Sequence, residues 1–149
     1  MDKVPANLRD KLGIAIGQQT CKAYRDLLDS DRWQRLENLG ARPQRLLFAS
    51  TGTKDPKASD VLYIAALAAP NTVNTIPEET LRAFEEHGKT GRAMARDGGD
   101  CEEVLSSFTK AGIDLAKLAA DLQSEGAESF DGSWQDLLTS IDTKSKALK

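Results

Sequence analysis

With 149 residues, 40% of them apolar and 29% charged, and a net charge of -3, the chain has the length of one domain and the composition of an ordinary folded one. Both charge signs are interspersed and no run of 18 or more apolar residues occurs, which argues against nucleic acid and membrane as partners. The start, MDKVPANLRDK, has neither an apolar h-region nor a small-residue cleavage site, so the expected location is cytoplasmic. Cys21 and Cys101 lie far apart with no CxxC or Cys/His pattern. This speaks against a zinc site and a disulfide framework; both are read as reduced thiols that pack, and no metal or other cofactor is expected.

In chain order, Leu8, Leu12, Ile16, Ala23, Tyr24, Leu27 and Leu28 recur mostly at spacings of three and four, predicting an amphipathic helix over about residues 7–28. Ser30 or Asp31 can cap a second helix carrying Trp33, Leu36 and Leu39, ended by Gly40. Arg45–Ala49 is a run of strand length without alternation, closed by Ser50; a strand covered on both faces reads that way. The stretch SDVLYIAALAAP suits a short helix capped by Ser59 or Asp60, although Val61, Tyr63 and Ile64 leave a strand open.

TVNTIP then reads as a second strand. Pro77 sits where it can open a helix, with Glu78 and Glu79 in the first turn and Leu81, Phe84 and Gly88 completing it. From Asp100 the pattern is helical: Val104, Leu105 and Phe108, then Ile113 to Leu122, then Phe130, Trp134, Leu137, Leu138 and Ile141. The glycines at 112, 126 and 132 are read as punctuation, and Lys144, Lys146 and Lys149 as a solvated, frayed tail. No repeat or low-complexity linker is present.

Two buried-type strands, 45–50 and 72–76, are thus separated by a crossover long enough for parallel pairing. Such strands bury both faces only within a larger sheet, and an α/β barrel needs eight strands and typically about 250 residues. The chain reads as part of something larger.

The stretch RPQRLLFASTGTKDPKASDVLYIAALAAPNTVNTIPEETLRAFEEHG resembles the C-terminal region of the transaldolase family, especially the longer bacterial form that also occurs fused to glucose-6-phosphate isomerase. The AST-G-T-K and T-V-N-T-I-P-E elements carry the likeness. It extends on both sides, through AIGQQTCKAYRDLLDSDRW before and EEVLSSFTKAGIDLAKLAADLQSEGAESFDGSWQDLL after. The resemblance implies an α/β fold, the C-terminal portion of a (β/α)8 barrel with about two parallel strands and predominantly helices over 1–149. Residues 45–50 would be the seventh strand and 72–76 the eighth.

Barrel active sites lie at the carboxyl ends of the strands, and the loops after strands seven and eight often hold a phosphate. Without its neighbours, Ser-Thr-Gly-Thr-Lys-Asp-Pro is a polar turn that ends a strand. With them, the resemblance assigns Ser50 and Lys54 to the phosphate of a sugar-phosphate substrate of the fructose 6-phosphate or sedoheptulose 7-phosphate class. The hydroxyls of Thr51 and Thr53 can donate to phosphate oxygens, and Gly52 lets backbone amides approach.

The implied activity is transfer of a dihydroxyacetone unit between sugar phosphates through a lysine imine, a step of the pentose phosphate pathway. Lys54 does not match the imine-forming lysine, which in the family belongs to the fourth strand. Nor does the chain contain the strand bearing the proton-transfer carboxylate; Met1–Asn7 would begin just after the sixth strand. No catalytic residue is therefore assigned, and the missing N-terminal half of the barrel is the expected partner. The alternative is a non-catalytic helical binding or assembly module derived from a transaldolase.

His87, the only histidine, precedes Gly88 at a helix end, where the dipole or solvent explains it. Asn74 and Thr75 either face the mouth of the barrel or pin the turn into the Pro77 helix. Lys89, Arg92 and Arg96 are basic enough to attract an anion, yet also suit a solvated loop. Tyr24, Trp33 and Trp134 fall at apolar helical positions and are expected in the core.

Overall fold

The computed structural model describes residues 4–148. Lys149 of the expected tail, and Met1, Asp2 and Lys3 of the segment expected to follow a sixth strand, lie outside the described residues. The chain divides into two compact units, Met1–Ala111 and Gly112–Lys149.

In the first unit, helix formation starts later than the apolar spacing suggests. Ala6–Leu8 make a single 3-10 turn, Asp10 takes a left-handed backbone with φ of 60°, and helix α1 runs over Leu12–Leu28. A side-chain-bearing residue at positive φ cannot continue a right-handed helix, so the predicted 7–28 helix loses its first turn. Helix α2, Asp31–Asn38, opens on the expected cap, with Ser30 Oγ accepting from the Trp33 amide at 3.3 Å. Gly40 closes it at φ 96°, its amide donating to Glu37 and that of Ala41 reaching back to Leu36. The expected apolar face of α2 is not buried: Trp33 is half-buried, while Leu36 and Leu39 are exposed, Leu39 by 85%.

Strands β1 (Leu46–Phe48) and β2 (Thr72–Asn74) pair in parallel, Leu46 opposite Thr72 and Phe48 opposite Asn74. Each is shorter than its predicted span. They are the whole sheet among the described residues, so each has an unpaired outer edge. The expectation of cover on both faces holds for one: Phe48 is buried, but Leu47 is 48% exposed. Helix α3, Leu62–Ala66, resolves the open choice between helix and strand. Its capping residue is Val61, without a side-chain bond. Ser59 instead accepts from the Val61 amide just ahead of the helix, and Asp60 turns to His87.

Helix α4, Glu78–His87, follows Pro77, with both glutamates in its first turn. Helix α5, Cys101–Lys110, packs against α1, and Cys21 and Cys101 are buried free thiols. The core gathers Cys21, Phe48, Leu67 and Met94, flanked by Leu46, Tyr63 and Ala69. Met94 is held there by its amide, which donates to the Ala68 carbonyl at 2.8 Å.

The second unit is dominated by one helix, α6, over Leu115–Ala147. Asp114 caps it, accepting from the Lys117 amide at 2.9 Å. Gly126 and Gly132 do not interrupt it, and Lys144 and Lys146 belong to its last turn rather than to a frayed tail. A glycine costs a helix interior only about 1 kcal/mol relative to alanine. Ion pairs one turn apart, Lys117–Asp121 and Lys146–Asp142, support the two ends. Trp134, expected in the core, is 57% exposed, and Phe130 and Ile141 are exposed too. A single helix offers its apolar side chains nothing to pack against within this unit. The whole is a mostly helical α/β chain with a two-stranded parallel sheet, as a portion of an α/β barrel presents.

Candidate functional site

Parallel pairing brings the carboxyl ends of β1 and β2 to one side, and the loop of residues 49–61 leaves β1 there. Its first residues are fixed by both strands. The Thr75 amide donates to the Phe48 carbonyl at 3.0 Å. Thr51, buried, donates its hydroxyl to Asn74 Oδ1 at 2.7 Å and lies 3.4 Å from the Thr75 carbonyl. Between these anchors Ser50 adopts φ of 55°. Left-handed backbone is uncommon for a residue with a β-carbon and costs about 1–2 kcal/mol. Such strain persists where surrounding contacts impose it, often at binding sites.

Gly52 lies against the start of α4. A β-carbon there would stand 3.2 Å from Pro77 Cγ and 3.6 Å from Thr80 Oγ1, so the absent side chain permits close approach of loop to helix. Thr53 Oγ1 is within 3.4 Å of the Asp60 carbonyl. At the loop tip, Asp55 accepts from the amides of Lys57 and Ala58, through its carboxylate and its carbonyl respectively. Lys54 is exposed. Beside β1 a cleft of about 320 Å³ is lined by Gly13, Ile16, Thr20, Ser50, Thr51 and Tyr63 among others.

The five residues singled out in the sequence are therefore used differently. The hydroxyls of Thr51 and Thr53 are engaged within the protein, and Gly52 serves contact with α4. Neither Ser50 nor Lys54 makes a side-chain hydrogen bond among the described residues. Asn74 faces Thr51 and pins the β1 loop, rather than the turn into α4.

His87 also finds a specific partner. Its Nε2 lies 2.9 Å from Asp60 Oδ1, both side chains about half exposed. The bond to Asp60 raises the imidazole pKa above its ordinary value, and the same bond holds the Asp60 carboxyl below the usual carboxylate range. In the basic cluster, Arg96 donates twice to the Asp29 carboxylate, at 3.0 and 2.8 Å, and so ties its loop to the end of α1. No signal in the sequence pairs residues this far apart, so neither partnership was legible there. No cluster of three metal-ligating side chains occurs among the described residues, and no helix there is long and apolar enough to cross a membrane.

A parallel strand pair joined through a helix, with a polar loop at its carboxyl ends, defines the α/β class. Residues 1–141 match the model of the Transaldolase/Fructose-6-phosphate aldolase family, and the chain belongs to that family. It is similar to the transaldolase of Mycolicibacterium smegmatis, 43% identical over 143 residues, which cover 95% of this chain and 38% of the relative. Transaldolase 2 of Streptomyces coelicolor is 42% identical over 94% of this chain and 38% of its own length. For the transaldolase of Parafrankia sp. the identity is 43%, over 90% and 37%. The chain thus spans well under half the length of the curated relatives it matches.

Proposed function

We propose that this chain is the part of a transaldolase that holds the phosphate end of a sugar-phosphate substrate, of the fructose 6-phosphate or sedoheptulose 7-phosphate class. The observation that carries the reading is the Ser50–Lys54 turn: a strained left-handed serine and an exposed lysine at the carboxyl end of a strand whose loop is anchored to its parallel neighbour. Ser50 Oγ and the nearby amides donate to phosphate oxygens, and Lys54 supplies a positive charge. Thr51, Gly52 and Thr53 act through the shape of the turn rather than as donors of their side chains.

The reaction is transfer of a dihydroxyacetone unit through a lysine imine, in the pentose phosphate pathway. Lys54 sits on a loop, not on a strand facing inward, which supports a binding role for it over a nucleophilic one. The rest of the barrel, including the imine-forming lysine, is the partner this reading requires. The edges of both strands, unpaired among the described residues, and the exposed Leu47 support such a partner. The reading places the protein in the cytoplasm, which the two free thiols favour.

Titration with fructose 6-phosphate should move the backbone amide signals of Ser50–Lys54 before any others, and Lys54→Ala should weaken the effect. Silence of those signals at saturating sugar phosphate would remove the reading. Borohydride treatment with the same sugar should leave Lys54 unmodified, as judged by mass; an adduct there would make it the nucleophile instead. The exposed apolar residues of α6 favour a second reading, a non-catalytic assembly module, which the amide titration distinguishes because such a module has no need of the sugar.

A further inference from the structure

The loop between β1 and α3 is secured unequally along its length. Near the strand it is clamped by the part-buried Thr51–Asn74 bond and by Gly52 against Pro77. Beyond Thr53 it is folded on itself, with Asp55 accepting from Lys57 and Ala58. There, one side-chain bond among the described residues reaches an element outside the loop: Asp60 Oδ1 to His87 Nε2, 2.9 Å, at the last residue of α4. The backbone carbonyl of Asp60 is the group that Thr53 Oγ1 approaches at 3.4 Å. Asp60 thus contacts both His87 and Thr53, the residue next to Lys54.

We infer that His87 is a positioning residue for the anion site: through Asp60 it fixes the distal half of the loop, and with it Lys54, and it loosens that half on losing its proton. The inference rests on the reading of the Ser50–Lys54 turn as a phosphate site and names a control of that site. An imidazolium bonded to a carboxylate is charge-assisted, whereas a neutral ring keeps only an ordinary hydrogen bond. The charged groups acting on the ring are Asp60 from the loop and Glu86 from α4 itself, and both favour its protonated form against the opposing effect of desolvation. Since the imidazole pKa is raised and that of Asp60 lowered, the charged pair exists between the two values. It is lost as pH rises through the raised imidazole value or falls through the lowered carboxylate one.

The test uses the full chain with sulfate as probe, because sulfate stays dianionic across the range studied. Between about pH 6 and about pH 9, the amide signals of Lys54, Ala58 and Asp60 should titrate together with the His87 ring, and sulfate affinity at the turn should fall about two- to threefold. His87→Gln and Asp60→Asn should each abolish the shared titration while the Thr51 and Asn74 signals stay in place, which separates a loosened loop from a lost fold. Loop amides indifferent to the ring, or titrating unchanged in either variant, overturn the inference. Shared titration without sulfate binding supports the latch and counts against the phosphate reading alone.

Discussion

Thr51 Oγ1 donates to Asn74 Oδ1 across 2.7 Å, tying the loop that leaves one strand to the last residue of its parallel neighbour. The loop is thus registered to both strands at once. Thr51→Val keeps the shape and removes the donor, leaving the partly buried Asn74 oxygen unsatisfied. Such losses cost about 1–3 kcal/mol. Urea unfolding should show a lowered midpoint for Thr51→Val and a parent-like one for Thr51→Ser.

At Ser50, stability and the proposed phosphate contact can be measured apart. Its φ of 55° suits glycine, so Ser50→Gly should leave stability within about 1 kcal/mol of the parent. Ser50→Val, β-branched in a left-handed position, should lose about 1–2 kcal/mol. Both remove the hydroxyl, and fructose 6-phosphate titration should show weaker binding in both. A Ser50→Gly chain binding as well as the parent would assign the contact to backbone amides.

The His87–Asp60 pair sets a pH dependence of stability with a definite sign. Because the imidazole pKa is raised in the folded chain, its contribution is complete below the unfolded value and fades as pH rises through the folded one. Thermal midpoints measured from mildly acidic to mildly alkaline pH should decline less in His87→Gln than in the parent. The difference should be small and shrink with added salt, since both groups are exposed.

The two tryptophans report on different surroundings. Trp134 is 57% exposed on α6, and Trp33 is half-buried beside Ser30. In Trp33→Phe chains the remaining Trp134 emission should be readily quenched by iodide, and in Trp134→Phe chains that of Trp33 less so. Protection of Trp134 would mean that its face of α6 is covered in solution.

Much of the fold was legible from local signals. Ser30, Gly40 and Pro77 mark element ends because capping and left-handed turns depend on a single residue's chemistry. Two parallel strands followed from apolar runs and the length of the crossover. What escaped carries no clear local signal: Asp10 turns left-handed in the first turn of a well-spaced helix, and α6 continues through Gly126 and Gly132, where helix cooperativity outweighs two glycines. In the candidate site, a polar turn closing a strand was legible, but the internal partners of its hydroxyls were not. Thr51 and Thr53 look like ligand donors because a hydroxyl in a list of residues carries no record of its partner, and their partners lie at Asn74 and Asp60.

Among the described residues both strands of the sheet carry unpaired backbone on their outer sides, and this makes the chain's behaviour depend on how crowded it is with its own kind. Each outer row of amides and carbonyls can be satisfied by any extended segment that arrives first. Refolding yield should therefore fall as concentration rises, and addition of a strand-bearing partner should restore it, so that assembly becomes a race between correct pairing and pairing with another copy.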